Sequence, residues 1–216
     1  MTGPEADARE PSLWERQVAK DPGHSQWYIE RFRGLAADGV DIVGEARLID
    51  AMIPRGSRVL DAGCGPGRLG GYLHTAGHHV VGVDVDPALI EAARQDHPGP
   101  RWQVADLSTL ELGEFFDAIV CAGNVMTFVA PSTRRAVLTR LAAHLRPGGQ
   151  ESPAGRLVVG FGSGRGYPFA EFETDVTAAG LAVDHRFATW DLQPFTTVEG
   201  SAAASDFLVA VLRAAR

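Results

Sequence analysis

The chain has 216 residues, of which 45% are hydrophobic and 22% are charged, and it carries a net charge of −7 at pH 7. This length fits a single domain with a substantial buried core. The negative charge disfavours a large nucleic-acid interface, because phosphate binding requires a concentrated positive surface.

The first quarter of the chain predicts helices. Residues 1–23 contain three prolines and several charges, which predicts either a flexible segment or one short helix. Apolar residues at helical spacing predict a helix over residues 26–35 and another from about residue 41 to residue 52.

From residue 55 onward, short apolar runs rich in Val and Ile alternate with amphipathic runs. The predicted strands are residues 58–63, 79–84, 101–106, 116–123 and 156–162. The predicted helices between them are residues 68–76, 87–95 and 132–145. Apolar strands separated by helices indicate a parallel sheet with helices on both faces. In such a sheet, ligands bind beyond the carboxyl ends of the strands.

The C-terminal part of the chain breaks this alternation. After a predicted helix over residues 169–179, apolar runs at residues 181–190 and 206–214 follow each other with no helix between them. Two strands connected directly are most simply antiparallel neighbours. We therefore predict an α/β fold whose seven-stranded, mostly parallel sheet ends in an antiparallel C-terminal strand. Residues 150–155 are expected to be an insertion.

The stretch VLDAGCGPGRLGGYL, residues 59–73, has the pattern of a strand, a tight turn and a helix. Gly65, Gly67 and Gly70 match the G-x-G-x-x-G pattern of dinucleotide sites, but an earlier glycine register begins at Gly63. Glycines let a ligand approach the backbone, and the start of the helix directs free N–H groups at it. The stretch predicts a cofactor site without deciding which cofactor is bound.

Acidic residues end three successive predicted strands. Asp61, Asp84 and Asp106 should therefore meet at one edge of the sheet. Asp84 lies about 20 residues beyond the glycine loop, as does the ribose-binding acid of nucleotide sites, and Asp106 could accept from an adenine amine. Asp61 would repel a pyrophosphate but attract a ligand that carries positive charge. Asp86, directly before Pro87, is expected to cap a helix.

Five ordered motifs resemble those of class I S-adenosylmethionine-dependent methyltransferases. They are VLDAGCGPGRL, VVGVDVDP, ADL, FDAIVCAGNVMTFV, and LRPGG followed by RLVVGF, all within residues 57–213. The resemblance implies a Rossmann-like, doubly wound fold in a single methyltransferase domain over residues 24–216. In that domain, residues 24–54 would form helices that act as a lid, and residues 55–216 would form the Rossmann-like core. It also implies S-adenosylmethionine as the cofactor and methyl transfer to a small-molecule acceptor by in-line displacement.

The resemblance implies a set of contacts that runs from the methionine part of the cofactor to its adenine. The residues in that set are Asp61, Gly63, Cys64, Gly65, Arg68, Asp84, Val85, Asp106, Leu107, Cys121, Ala122 and Gly123. Residues of the glycine loop would surround the methionine, and those after the second strand would bind the ribose and pack on the adenine. Residues after the third strand would flank the adenine, and those after the fourth would lie near the methionine amine and the sulfonium. Arg68 would pair with the methionine carboxylate, or it is an ordinary solvated helix residue.

The acceptor is expected at the loops after the fourth and fifth strands. The fourth-strand loop reads AGNVMTF rather than N/D-P-P-Y/F, which disfavours an exocyclic base nitrogen as acceptor. The candidate pocket residues are Tyr28, Asn124, Met126, Phe128, Arg165, Trp190 and Asp191. Arg165, in the glycine-rich stretch GFGSGRGYPF, is either solvated or clamps an acidic acceptor. His185 is a candidate general base.

Two other functions stay open at this point. The first is a nicotinamide-dependent oxidoreductase that uses the G-x-G-x-x-G register, and the second is a non-catalytic module that binds the cofactor. Cys64 and Cys121 are either nucleophiles beside the site or small buried residues.

Cysteine and histidine positions predict neither a disulfide scaffold nor a metal site, since the two cysteines are far apart and the histidines do not cluster. No apolar run approaches the ~20 residues that span a bilayer, and the N-terminus is polar and acidic. We therefore expect a cytoplasmic protein without membrane contact.

Overall fold

The structure is a computed structural model that describes residues 9–149, 153–196 and 204–215. Its strands are β1 (Arg58–Ala62), β2 (His79–Asp84), β3 (Arg101–Val104), β4 (Ala118–Cys121), β5 (Arg156–Gly162), β6 (Leu181–Phe187) and β7 (Phe207–Ala214). Its helices are α1 (Leu13–Lys20), α2 (His24–Ala37), α3 (Gly44–Met52), α4 (Arg68–Thr75), α5 (Pro87–Asp96), α6 (Val125–Phe128), α7 (Arg134–Ala143) and α8 (Phe169–Ala178).

The strands form one seven-stranded sheet in the order β3-β2-β1-β4-β5-β7-β6. Strands β1 to β5 are parallel to one another, with Asp61 beside Gly82 of β2 and Val120 of β4. Strand β7 is antiparallel to both β5 and β6 and lies between them. The predicted mixed sheet and its C-terminal hairpin are confirmed.

Both faces of the sheet are buried. Along β1, Leu60 packs in one hydrophobic core and Val59 in the other, because successive side chains of a strand point to opposite faces. Ile119 and Val120 of β4 divide between the same two cores. These buried faces explain why the strands are continuous apolar runs rather than alternating ones.

Several elements are shorter than the sequence predicts. Strand β3 stops at Val104, and Asp106 then caps a 3-10 turn over Leu107–Thr109 by accepting from the Ser108 N–H. Helix α7 begins at Arg134, after a separate 3-10 turn over Pro131–Thr133. Asp86 caps α5 as predicted, since its side chain accepts from the Ala88 N–H at 2.8 Å.

The N-terminal region differs from the flexible segment predicted for residues 1–23. From Arg9 onward it is described, and α1 starts with a capping box in which Ser12 and Glu15 satisfy each other's backbone N–H groups. Trp14 of α1 is buried. The alternative of one short helix is therefore correct for residues 13–20, whereas the rest of that prediction, on residues 1–8, lies outside the described residues.

The predicted insertion at residues 150–155 lies largely outside the described residues, because the description resumes at residue 153. In the described ranges, no helix has both the length and the apolar character needed to cross a membrane. Among the same residues, no group of three or more His, Cys, Asp or Glu side chains could hold a metal ion.

Candidate cofactor site

The loop after β1 is shaped by glycine at its first position. Gly63 has φ +77°, and a Cβ at this position would overlap the side chain of Val125 on α6. The N–H groups of Gly63 and Cys64 both donate to the Val83 carbonyl, at 2.8 and 2.9 Å, and fix the loop against β2. The loop therefore needs glycine for its conformation and for its close packing.

The turn also leaves room above Gly65. A Cβ on Gly65 would lie 3.7 Å from Cε1 of Tyr28, whose ring faces the loop from α2. Helix α4 then starts at Arg68 with no side-chain cap. The loop and helix start form one wall of a cavity of about 980 Å³, which includes space open to solvent.

The three predicted strand-end carboxylates line this one cavity. Asp84 accepts from the N–H of Gly65 at 2.9 Å and from that of Asp86 at 3.0 Å. Asp61 accepts from the Gly70 N–H at 2.9 Å, and Asp106 forms an ion pair with Arg9. Parallel strands that end at one edge of the sheet bring these groups together, as the sequence predicts.

Burial shifts the pKa of two of these carboxyls upward. The pKa of Asp61 is raised to about 7 and that of Asp84 to about 6, in both cases mainly by desolvation. The hydrogen bond from Gly70 and the charge of Arg68 oppose the shift at Asp61. A cationic ligand would favour the ionised form of both groups, so the site suits a ligand with positive charge and hydroxyl donors.

Contacts with other side chains fix the position of Arg68 in the cavity wall. Its Nη1 and Nη2 atoms lie 2.9 and 2.6 Å from the two carboxylate oxygens of Glu45, and its Cζ lies 5.4 Å from the ring centre of Phe32. The side chain is 15% exposed. Its alternative as a solvated helix residue is therefore wrong, because α3 supplies a buried partner that the sequence did not indicate.

The two cysteines are buried and disfavoured as nucleophiles. Burial raises the pKa of the Cys64 thiol well above its usual range and that of Cys121 to about 12. Cys64 lines the cavity beside the glycine loop, whereas Cys121 points into the core. Any contact of Cys121 with a ligand would therefore be through its backbone, and a thiolate would be strongly disfavoured at either position.

Most of the other predicted cofactor residues also line the cavity. The lining includes Gly63, Gly65, Val85, Leu107, Ala122 and Gly123 in addition to the residues above. Only Cys121 of the predicted set is missing from the lining. The predicted cofactor residues other than Cys121 therefore share one cavity, and their contacts with a cofactor stay a prediction.

Most of the predicted acceptor residues do not line the cavity; Tyr28 and Phe128 do. Met126 is fully buried in the core, so its prediction as a pocket residue is wrong. Asn124 uses Oδ1 to accept from the Gly162 N–H at 2.8 Å, which joins the loops after β4 and β5.

The candidates from the later loops lie elsewhere. The ring of Trp190 covers Gly160 of β5 and packs against the core, and Asp191 is exposed and accepts from the Thr189 hydroxyl. Arg165 and His185 are also exposed and outside the cavity lining. The sequence placed these residues by order along the chain, which does not show the direction of their side chains.

The residues that sequence reasoning missed come from the N-terminus. Arg9, Glu10, Ser12 and Trp14 all line the cavity. The S-x-x-E spacing of Ser12 and Glu15 is a helix-start pattern that could have indicated an ordered helix here. Nothing in the sequence indicated that this helix would reach the site.

Comparison with known proteins identifies the family. Residues 59–149 match the family described as methyltransferase domain. The solved structure of a TehB-like SAM-dependent methyltransferase from Corynebacterium glutamicum is 50% identical, with a TM-score of 0.80, and the match covers 90% of this chain and all of that one. This protein belongs to the S-adenosylmethionine-dependent methyltransferase family. The predicted family, fold, enzyme class and cofactor are thereby confirmed.

More distant methyltransferases match shorter parts of the chain. A malonyl-[acyl-carrier protein] O-methyltransferase of Pectobacterium atrosepticum is 34% identical over 135 residues, 62% of this chain and 51% of that one. A ubiquinone biosynthesis O-methyltransferase of Xanthomonas axonopodis is 29% identical over 151 residues, 61% of this chain and 62% of that one. The chain thus spans about half the length of the curated relatives it matches.

Proposed function

We propose that this methyltransferase transfers the methyl group of S-adenosylmethionine to a small-molecule acceptor. The observation that carries the proposal is the convergence of Asp61, Asp84 and Asp106 on one cavity next to the glycine loop. S-adenosylmethionine supplies an activated methyl group on a sulfonium, so the protein's task is to bind, orient and exclude water.

The lining fits this cofactor chemically. Asp84 would accept from the ribose hydroxyls, Asp106 from the adenine amine, and Leu107 and Val85 would pack against the adenine. Asp61 would face the positively charged methionine end. A dinucleotide fits poorly, because its pyrophosphate would have to lie beside these carboxylates.

Arg68 completes the methionine end of the proposed site. Its Nη2 atom lies 4.0 Å from where a Cβ on Gly123 would be, so the guanidinium is directly beside the loop after β4. A carboxylate there would be a second partner beside Glu45. The arrangement supports the prediction that Arg68 binds the methionine carboxylate.

Tyr28 is the best-placed side chain for contact with an acceptor. It lines the cavity, and burial raises its hydroxyl pKa. Tyr28 would therefore stay protonated at neutral pH and donate a hydrogen bond rather than act as a base. Because the relatives include both O-methyltransferases and an N,N-dimethyltransferase, they favour no single acceptor atom.

Equilibrium binding tests the proposal directly. We expect S-adenosylhomocysteine to bind by calorimetry and NAD not to bind. Asp84→Ala should weaken this binding at least about tenfold, since even one hydrogen bond to a charged group contributes about 1.5–3 kcal/mol. Asp184→Ala is the matched control, because Asp184 forms an exposed ion pair with Arg213. Binding of NAD without S-adenosylhomocysteine, or equal affinity in both variants, would contradict the proposal.

A further inference from the structure

Asn124 has a backbone conformation that few residues other than glycine adopt. Its φ of +66° and ψ of 19° lie in the left-handed region. Within the described ranges, Leu192 is the only other residue besides glycine with a positive φ. Asn124 is also the only asparagine of the chain, and asparagine tolerates this region because its short side chain can hydrogen-bond locally. It precedes α6 without capping it through its side chain, so the side chain has another role.

The side chain of Asn124 joins the loop after β4 to the end of β5. The β4–β5 ladder ends where Cys121 lies beside Val159, whereas β5 continues to Gly162. The Asn124 N–H donates to the Gly160 carbonyl at 3.4 Å, and its Oδ1 accepts from the Gly162 N–H at 2.8 Å. Because Gly162 is buried, its N–H needs a protein partner. Asn124 therefore supplies a contact that the shorter strand β4 does not.

The turn at Asn124 also places its two neighbours at the cavity. Gly123 and Val125 both line it, whereas Asn124 itself is outside the described lining. Gly123 lies beside Arg68, the proposed partner of the methionine carboxylate. Val125 covers Gly63, where a Cβ would lie 2.4 Å from Cγ2 of Val125. One turn therefore fixes the loop after β4 against both β5 and the glycine loop.

We propose that Asn124 is a positioning residue, which holds the loop after β4 in the conformation that receives the methionine end of the cofactor. This inference rests on the proposed function. Asn124 acts through the backbone of Gly123 and through Val125, not by contact with the cofactor. Without its side chain, the buried N–H of Gly162 loses its partner and the loop loses an attachment to β5. Ligand binding then has to order the loop as well, which lowers affinity.

Three variants separate the side-chain contact from the backbone conformation. Asn124→Gly keeps a left-handed turn without steric cost but removes the acceptor. Asn124→Asp keeps an acceptor oxygen on a side chain of the same length, which also tolerates a positive φ. Leu192→Gly is the matched control, because it places glycine at the other positive φ, in an exposed position after β6 that is outside the described lining of the cavity.

The experiment measures S-adenosylhomocysteine binding by calorimetry in the full chain and its variants. We expect Asn124→Gly to weaken binding about fivefold, as for loss of one hydrogen bond, and Asn124→Asp and Leu192→Gly to stay within twofold of wild type. Wild-type affinity in Asn124→Gly, or an equal loss in either of the other variants, would overturn the positioning role and leave the proposed function standing. Absence of binding in the wild type would overturn both.

Nuclear magnetic resonance of the wild type tests the same role without a substitution. Because Asn124 is the only asparagine, labelling with 15N-asparagine reports one backbone N–H and one side-chain amide. We expect the side-chain amide to be ordered in the ligand-free protein, and the backbone signal to shift when S-adenosylhomocysteine binds next to Gly123. A side-chain order parameter below about 0.6, or a backbone signal that saturating ligand leaves unchanged, would overturn the proposal.

Discussion

Cofactor affinity should depend on pH through the two buried carboxyls. The pKa is about 7 for Asp61 and about 6 for Asp84. If a bound ligand requires both groups ionised, protonation at low pH competes with binding. Between pH 7.5 and pH 5.5, the two equilibria together weaken S-adenosylhomocysteine binding about 100-fold, or by about 2.7 kcal/mol.

The variant Asp61→Asn isolates the larger of the two contributions. It keeps an oxygen that accepts from the Gly70 N–H but removes the group with pKa about 7. Only Asp84 then titrates, and the effect of the same pH change should fall to about fourfold. The measurement is calorimetry at both pH values in wild type and variant.

Stability gives an independent readout of the same groups. Because the pKa of Asp61 in the folded protein lies above the ordinary value of 3.8 for an aspartate carboxyl, the ligand-free fold loses stability as pH rises from about 4 to about 7. S-adenosylhomocysteine should therefore raise the melting temperature more at pH 7.5 than at pH 5.5. A wild-type dissociation constant that differs less than twofold between the two pH values would refute the reasoning.

Three further predictions concern the loops and the thiols. Gly63→Ala should lower the free energy of unfolding by about 2–4 kcal/mol, measured by thermal unfolding, because the positive φ and the overlap with α6 both oppose a side chain there. The control Gly164→Ala, at φ +71° in open space, should lose only about 1 kcal/mol. Equal losses in the two variants would contradict the role of the overlap. Arg165→Ala should leave the dissociation constant of S-adenosylhomocysteine unchanged within twofold, because Arg165 is exposed outside the cavity; a larger change would place it at the cofactor. Cys64 and Cys121 should both resist a thiol reagent such as DTNB in the native protein and react after denaturation, since both thiols are buried and have a raised pKa. Rapid labelling of the native protein would contradict that burial.

Local sequence patterns determined the sheet and the cofactor side of the site. Continuous apolar runs such as residues 79–84 mark strands buried on both faces, and the acid at the end of each run marks the edge where ligands bind. The sequence therefore predicts the proximity of Asp61, Asp84 and Asp106, because the carboxyl ends of parallel strands lie at the same edge of the sheet. The direct succession of β6 and β7 likewise indicated the antiparallel hairpin.

Side-chain direction and long-range partners came only with the tertiary structure. Met126 points into the core, whereas its neighbour Val125 packs over Gly63. Helix α6 is too short for its sequence pattern to show which of these adjacent side chains faces the core. The sequence does not distinguish Arg68 from a surface residue, because its hydrogen-bond partner Glu45 lies 23 positions earlier in the chain. Ion pairs of this kind depend on how the helices pack, which local periodicity does not specify.

The sequence alone predicted the cofactor site and the strands that bind it, because the strand pattern, the glycine turn and the strand-end acids are set by short-range geometry, and the resemblance of its motifs to a known family implied which cofactor is bound. Only the tertiary structure showed that N-terminal residues complete the wall of the cavity. Arg9 meets Asp106 across 97 positions of chain, and Trp14 meets Asp86 across 72. Contacts so far apart in sequence form only once the whole domain has packed.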